Sequence, residues 1–114
     1  PQQVNHEGGY KKKGKTELEA KALLSDALEL TATGVTAIVL ENIAEDVCAE
    51  ITSSVTIPTI GIGSGDDCDG QILVINDLLG SYPWFCPGFA KPLANLASET
   101  SIAIRAFIDG LDKA

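Results

Sequence analysis

Two short apolar runs constrain this chain most: TIPTIGIGSG at positions 56–65 and, after a brief acidic stretch, DGQILVIND at 69–77. In both, apolar residues follow one another instead of alternating with polar ones, the pattern of parallel strands covered on both faces. A chain of 114 residues with two such strands so close together, joined only by a loop, is expected to contribute to a larger parallel sheet. The predicted strands cover 57–62 and 71–75.

Upstream, helix and strand signals alternate. Residues 1–15, with Gly8, Gly9 and Gly14 around Tyr10, have no periodicity and read as a loop. Thr16 and Glu19 have the spacing in which each side chain satisfies an unpaired N–H at a helix start. Leu24, Ala27, Leu28 and Thr31 then recur at helical spacing, and Gly34 supplies the stop. TAIVL at 36–40 is a β-branched strand run ending at Glu41, and Asn42 is placed to cap a second helix with Ile43, Val47, Ile51 and Val55 on one face. An irregular segment over 80–92 and an amphipathic helix over 93–112 complete the chain, with no linker and no second domain. Helices alternating with strands imply right-handed crossovers and a parallel sheet. An open doubly wound sheet and the trailing half of a (β/α)8 barrel both accept this order. In either, active sites form at the carboxyl ends of strands, where Glu41 and the loop at 61–65 fall.

Composition excludes several function classes. The net charge of −8 argues against a nucleic-acid partner, which needs clustered Lys and Arg to displace counterions. Lys11, Lys12, Lys13 and Lys15 do cluster, and read as a solvated loop ahead of a helix. No apolar run reaches the roughly 18 residues of a membrane span. Cys48, Cys68 and Cys86 are odd in number and widely spaced, suggesting neither a disulfide framework nor a zinc site and fitting a reducing cytoplasm. Pro1 at the start, with no Met and no signal-peptide pattern, is expected of a chain whose native start has been lost.

Gly61, Gly63 and Gly65 form G-x-G-x-G, but Asp66 stands where a dinucleotide fingerprint needs its third glycine, so close backbone approach to a ligand or a turn is the better reading. Glu41 sits at the mouth of a buried sheet, where partial desolvation would suit a general base; the plainer role is a carboxylate favouring a helix N-terminus. Asp66, Asp67, Asp69 and Asp77 lack the spacing of a calcium loop and read as turn acids. His6 has no partner by spacing and reads as a surface residue. Trp84 and Phe85, between Pro83 and Pro87, read as aromatic anchors buried against a barrel end or a neighbouring subunit.

PQ at 1–2, GGYK at 8–11 with Gly14, LSDAL at 24–28, VLE at 39–41, IP at 57–58, GIG at 61–63 with Gly65, DGQILV at 69–74, Asp77 and FAK at 89–91 occur in one order. In that order they resemble the ketopantoate hydroxymethyltransferase family across essentially the whole chain. The resemblance implies an α/β fold, the carboxyl-terminal half of a (β/α)8 TIM barrel, from the loop after strand five through strand eight and a terminal helix. It implies transfer of a hydroxymethyl group from 5,10-methylenetetrahydrofolate to 3-methyl-2-oxobutanoate in pantothenate biosynthesis, with Mg2+ holding the keto acid, and assembly as a homo-oligomer. Glu41 matches the family's catalytic glutamate. The magnesium-binding acids and a substrate lysine are expected in an amino-terminal half outside this chain, without which the chain is expected to be inactive. Ile62 and Val74 are expected to wall the isopropyl group, with Gly61, Gly63 and Gly65 at the pocket rim. Asn42-Ile43-Ala44, Ser64 and Asn76 depart from the usual pattern, Ser64 replacing an alanine. Two other readings accept the sequence: a non-catalytic half-barrel binding or assembly module, and another 2-oxo acid enzyme of the same barrel superfamily.

Overall fold

The computed structural model describes His6 and residues 8–113. Along the chain run helix α1 (Glu17–Ala32), strand β1 (Ile38–Glu41), helix α2 (Glu45–Ser54), strands β2 (Thr59–Ile62) and β3 (Gly70–Gln71), and helices α3 (Ile75–Leu79) and α4 (Leu96–Leu111). They gather into two compact units, Pro1–Ile72 and Leu73–Ala114.

In the first unit, the Thr16 hydroxyl accepts the Glu19 N–H at 3.2 Å, as the sequence predicts, while the Glu19 carboxylate reaches back to the Lys15 N–H at 3.0 Å. Thr33 caps the other end, and Gly34 follows with a left-handed φ of 86°. The three strands are parallel in the order β1-β2-β3, with Ile38 opposite Thr59 and Glu41 opposite Ile62. Successive strand residues point to opposite faces. Ile38 and Leu40 are therefore buried under both helices, where Ala27 of α1 and Val47, Cys48 and Ile51 of α2 complete the core with Ile43. The other face carries Val39, Ile60 and Ile72, of which Val39 is 54 % and Ile72 51 % exposed. The two-sided cover expected from the apolar runs is thus present on one face among the described residues.

The last strand differs from the sequence expectation of 71–75. Ladder pairing covers Gly70 and Gln71, with one more bond from the Ile72 N–H to the Gly61 carbonyl at 3.0 Å. Val74 then leaves the sheet because its carbonyl accepts the N–H groups of Asp77 and Leu78, both at 3.0 Å, and starts α3. No helix joins β2 to β3, although parallel neighbours usually need a crossover of about a dozen residues. The register explains it: β3 starts opposite Ile60, so the chain has only a short way to return. Asp69 pins that register. Its carboxylate accepts from the Thr59 N–H at 2.9 Å and the Thr59 hydroxyl at 3.2 Å, and Thr59 is fully buried against the Thr52 hydroxyl at 2.9 Å.

Asn42 does not cap α2 as expected. It turns the chain out of β1 at a φ of 52°, and the N-cap is Ala44, whose N–H donates to the Lys13 carbonyl at 2.9 Å. The segment expected to be loop thus contributes one parallel bridge, Lys13 to Ile43.

In the second unit, Gly80 ends α3 at a φ of 62°, and its carbonyl accepts the Ala97 N–H at 3.0 Å, holding the start of α4. Asn95 caps α4, its side chain accepting the Ser98 N–H at 3.2 Å, so the helix starts later than the expected 93. No residue of α4 is buried, and Ile104, Phe107 and Ile108 are exposed. Trp84 and Phe85 are exposed too, 77 % and 51 %, so the anchoring expected of them is not made within this unit; Trp84 instead stacks on Tyr82 at 5.3 Å. No described helix is long and apolar enough to cross a membrane.

A Cβ at position 80 would lie 2.5 Å from the Ala94 carbonyl oxygen, on a backbone conformation that side chains rarely adopt. Gly80→Ala is expected to destabilise the unit by about 2 kcal/mol or more. Amide hydrogen exchange reads it as lost protection at Ala97, whereas Gly88→Ala, with nothing within 4 Å of the added carbon, leaves that protection intact.

Candidate functional site

At the carboxyl ends of β1 and β2 the chain places Glu41, Asn42, Ile62, Gly63, Ser64 and Gly65 side by side. Glu41 is the last residue of β1 and projects from the face opposite the helices, in register with Ile62. It is exposed, so the desolvation expected of it is not supplied by this unit. The turn that follows is held on both sides: the Asn42 N–H donates to the Ile62 carbonyl at 2.8 Å, and the Asn42 carbonyl accepts the Lys13 N–H at 2.9 Å.

The loop after β2 lies against the same turn. Ser64 is fully buried; its hydroxyl donates to the Leu40 carbonyl at 2.8 Å and accepts the Ile43 N–H at 3.0 Å, with the Ile62 carbonyl farther off at 3.4 Å. Gly65 packs on the first turn of α2, where a Cβ would fall 2.9 Å from the Glu45 Cβ, and its carbonyl accepts the Gln71 side-chain amide at 2.9 Å. Gly61 is covered on the helix-facing side by Cys68 and Gln71, each 3.0 Å from where a side chain would begin. At position 65 the close packing and a left-handed φ of 78° call for glycine, whereas at 61 a side chain would press on the Cys68 sulfur and the Gln71 amide.

Of the residues singled out from sequence, Glu41, Ile62 and the three glycines converge here. Ile62 is only 8 % exposed, and Val74 belongs to the second unit, at the start of α3. His6 is exposed. Asp69 is occupied with Thr59, and no group of three His, Cys, Asp or Glu side chains among the described residues could hold a metal ion. The implied magnesium therefore has no ligand set among them. Sequence reading marked Ser64 only as a departure from the family pattern, replacing an alanine; its burial and its bonds to Leu40 and Ile43 are seen in the structure alone. The second unit also has an open pocket of about 490 Å3 lined by Asn76, Asp77, Tyr82, Phe85 and Ser101 among others, in which the Asn76 amide donates to the Tyr82 hydroxyl at 2.8 Å.

Beneath the strand ends, Cys48 has no solvent exposure. Burial pushes its thiol up to about 11 from 9.0, against a smaller opposing pull from the Ser64 hydroxyl, with neighbouring Cys68 adding to the rise. The site thus rests on a neutral thiol at physiological pH. A folded-state value above the unfolded one means that the unfolded chain loses the proton first, so stability is intact below about 9 and falls as pH rises toward about 11. Chemical denaturation across that window is expected to show the decline in the parent protein and a shallower one in Cys48→Ala. Maleimide labelling at pH 8 should leave Cys48 unmodified until the protein unfolds.

A family model described as ketopantoate hydroxymethyltransferase matches residues 1–114. A 3-methyl-2-oxobutanoate hydroxymethyltransferase of Thermotoga maritima is 54 % identical over 107 residues, covering 94 % of this chain and 40 % of its own length. The protein of that name from Pseudothermotoga lettingae is 52 % identical over 108 residues, 95 % of this chain and 41 % of its own length. That of Moorella thermoacetica is 44 % identical over 109 residues, 96 % of this chain and 40 % of its own length. The chain spans about two fifths of the length of these relatives.

Proposed function

The chain belongs to the ketopantoate hydroxymethyltransferase family, and on that premise we propose that it supplies the general base for hydroxymethyl transfer from 5,10-methylenetetrahydrofolate to 3-methyl-2-oxobutanoate, giving 2-dehydropantoate. The observation that carries this reading is the position of Glu41: the carboxyl end of β1, on the face turned away from both helices, beside the glycine loop of β2.

The reaction requires removal of the proton on C3 of the keto acid, which the adjacent carbonyl acidifies by delocalising the resulting charge. The Glu41 carboxylate takes that proton. The C3 carbanion then forms a carbon–carbon bond to the one-carbon unit, water supplies the hydroxyl oxygen, and tetrahydrofolate leaves. Ile62, opposite Glu41, offers an apolar edge for the isopropyl group; Gly63 and Gly65 leave the rim low; Gly61 stays in the proposed substrate-binding set.

We read the sheet as part of a (β/α)8 barrel. Sequential parallel strands, helices α1 and α2 on one face and the row of exposed Val39, half-buried Ile60 and exposed Ile72 on the other support it, since inward-facing branched residues pack in layers inside such a barrel. Closure of that layer, magnesium ligands and a dry surrounding for Glu41 would come from the length that the relatives have and this chain does not cover, so the 114-residue chain alone is expected to be inactive. Magnesium would hold and polarise the keto acid. A homo-oligomer in the cytoplasm completes the reading.

Glu41→Gln in the complete enzyme is expected to slow deuterium exchange at C3 of 3-methyl-2-oxobutanoate by at least about 100-fold, the scale of a lost general base. Nuclear magnetic resonance of the substrate methine reads it directly, and exchange at the parent rate would remove Glu41 from the mechanism.

A further inference from the structure

We propose that Cys48 and Cys68 are a reversible dithiol pair, which a hydroperoxide oxidises to a disulfide linking α2 to the segment between β2 and β3. The proposal is independent of the assignment of Glu41. Two separate elements bring the sulfurs together. Cys48 and Thr52 stand one helical turn apart, on one face of α2. The Thr52 hydroxyl meets that of Thr59 at 2.9 Å, and Gly61, two residues farther along β2, shares the face of Thr59. Because α2 runs back from the end of β1 toward the start of β2, Cys48 lies over Gly61. The space left by the absent side chain of Gly61 is filled by Cys68, whose sulfur is 3.0 Å from where a Cβ would stand. The two thiols are within hydrogen-bonding reach of each other, and Cys68 packs against the core cluster to which Cys48 belongs.

Access separates their roles. Cys48 has no solvent exposure, whereas Cys68 is partly exposed and is the sulfur that a small hydroperoxide reaches. The Cys68 thiol gives its proton to solvent and the thiolate attacks the outer peroxide oxygen. An S–O bond forms, the O–O bond breaks, and the departing oxygen takes up a proton from solvent, leaving a sulfenic acid and an alcohol or water. The Cys48 sulfur then attacks the Cys68 sulfur: the S–S bond forms, the S–O bond breaks, and the hydroxide leaves as water with the Cys48 proton. Two thiols lose one electron each and one peroxide gains both. A thiol reductant reopens the link by exchange. The ring so closed contains all of β2 and the glycine loop, and therefore ties the rim of the candidate site covalently to α2. Packing of two small apolar side chains predicts none of this chemistry.

The test exposes the complete native enzyme to a molar equivalent of hydrogen peroxide, then unfolds it in acid, blocks the remaining thiols with N-ethylmaleimide and maps the peptides by mass spectrometry. A linked pair of peptides carrying Cys48 and Cys68 is expected, at least about 10-fold more abundant than any link from either to another cysteine, because the held pair reacts as one molecule. Cys86 is the internal control: it is the most exposed of the three, so a reaction governed by exposure alone would involve it first. Dithiothreitol is expected to restore both thiols. In Cys48→Ala the Cys68 sulfenic acid has lost its resolving thiol, and trapping by dimedone should rise about 10-fold over the parent. A Cys68 thiol left unoxidised, its oxidation to sulfinic acid without a link to Cys48, a preferred link to Cys86, or equal dimedone trapping in the parent and in folded Cys48→Ala would each overturn the proposal. The peptide map of the parent decides by itself should the variant not fold.

Discussion

Burial of a single sheet face governs the first unit. Ile38 and Leu40 are pressed under Ala27, Val47, Cys48 and Ile51, and that contact fixes the side of the sheet on which both helices lie. Because strand side chains alternate, putting Leu40 into the core compels Glu41 to the opposite face. A shift of one residue in β1 would expose the core leucine and bury the carboxylate, costing hydrophobic contact and charge solvation together. The placement of the candidate base is a consequence of core packing.

Where the ladder gives out, side chains take over its work. At the start of β2, the Asp69 carboxylate and the buried Thr59 hydroxyl set the offset of β3 and permit a parallel connection without a helix. At its end, Ser64 satisfies the groups that the left-handed turn at Asn42 would strand. No buried side-chain nitrogen or oxygen among the described residues lacks a hydrogen-bond partner. The same economy explains the glycines: the approach of Gly65 to Glu45 leaves no space for a side chain.

Local signals in the sequence were sound where the determining interaction is local. The Thr16 cap, the stop at Gly34, the buried face of Ile43, Val47 and Ile51, and the position of Glu41 at a strand end were all legible from spacing and residue type. Asn42 misled, because a residue suited to helix capping is equally suited to a left-handed turn, and only the carbonyl of Ile62 and the N–H of Lys13 choose between them. The strand expected to reach 75 failed for a similar reason: ILVI at 72–75 has strand propensity throughout, yet the Val74 carbonyl is taken by α3. Trp84 and Phe85 are exposed in the second unit, and size and apolarity alone do not say which surface covers such residues.

By itself, then, the sequence determined the alternation of helix and strand, the parallel sheet and the carboxylate at the end of β1, since periodicity, capping and β-branching act within a few residues. Only the tertiary structure decided that both helices cover one face, that β3 is two residues long, and that Ser64 ties the turn after Glu41. Those outcomes depend on which distant backbone groups are left without partners once the core has packed. Ser64 meets Leu40 from 24 residues away, a separation over which no sequence period runs.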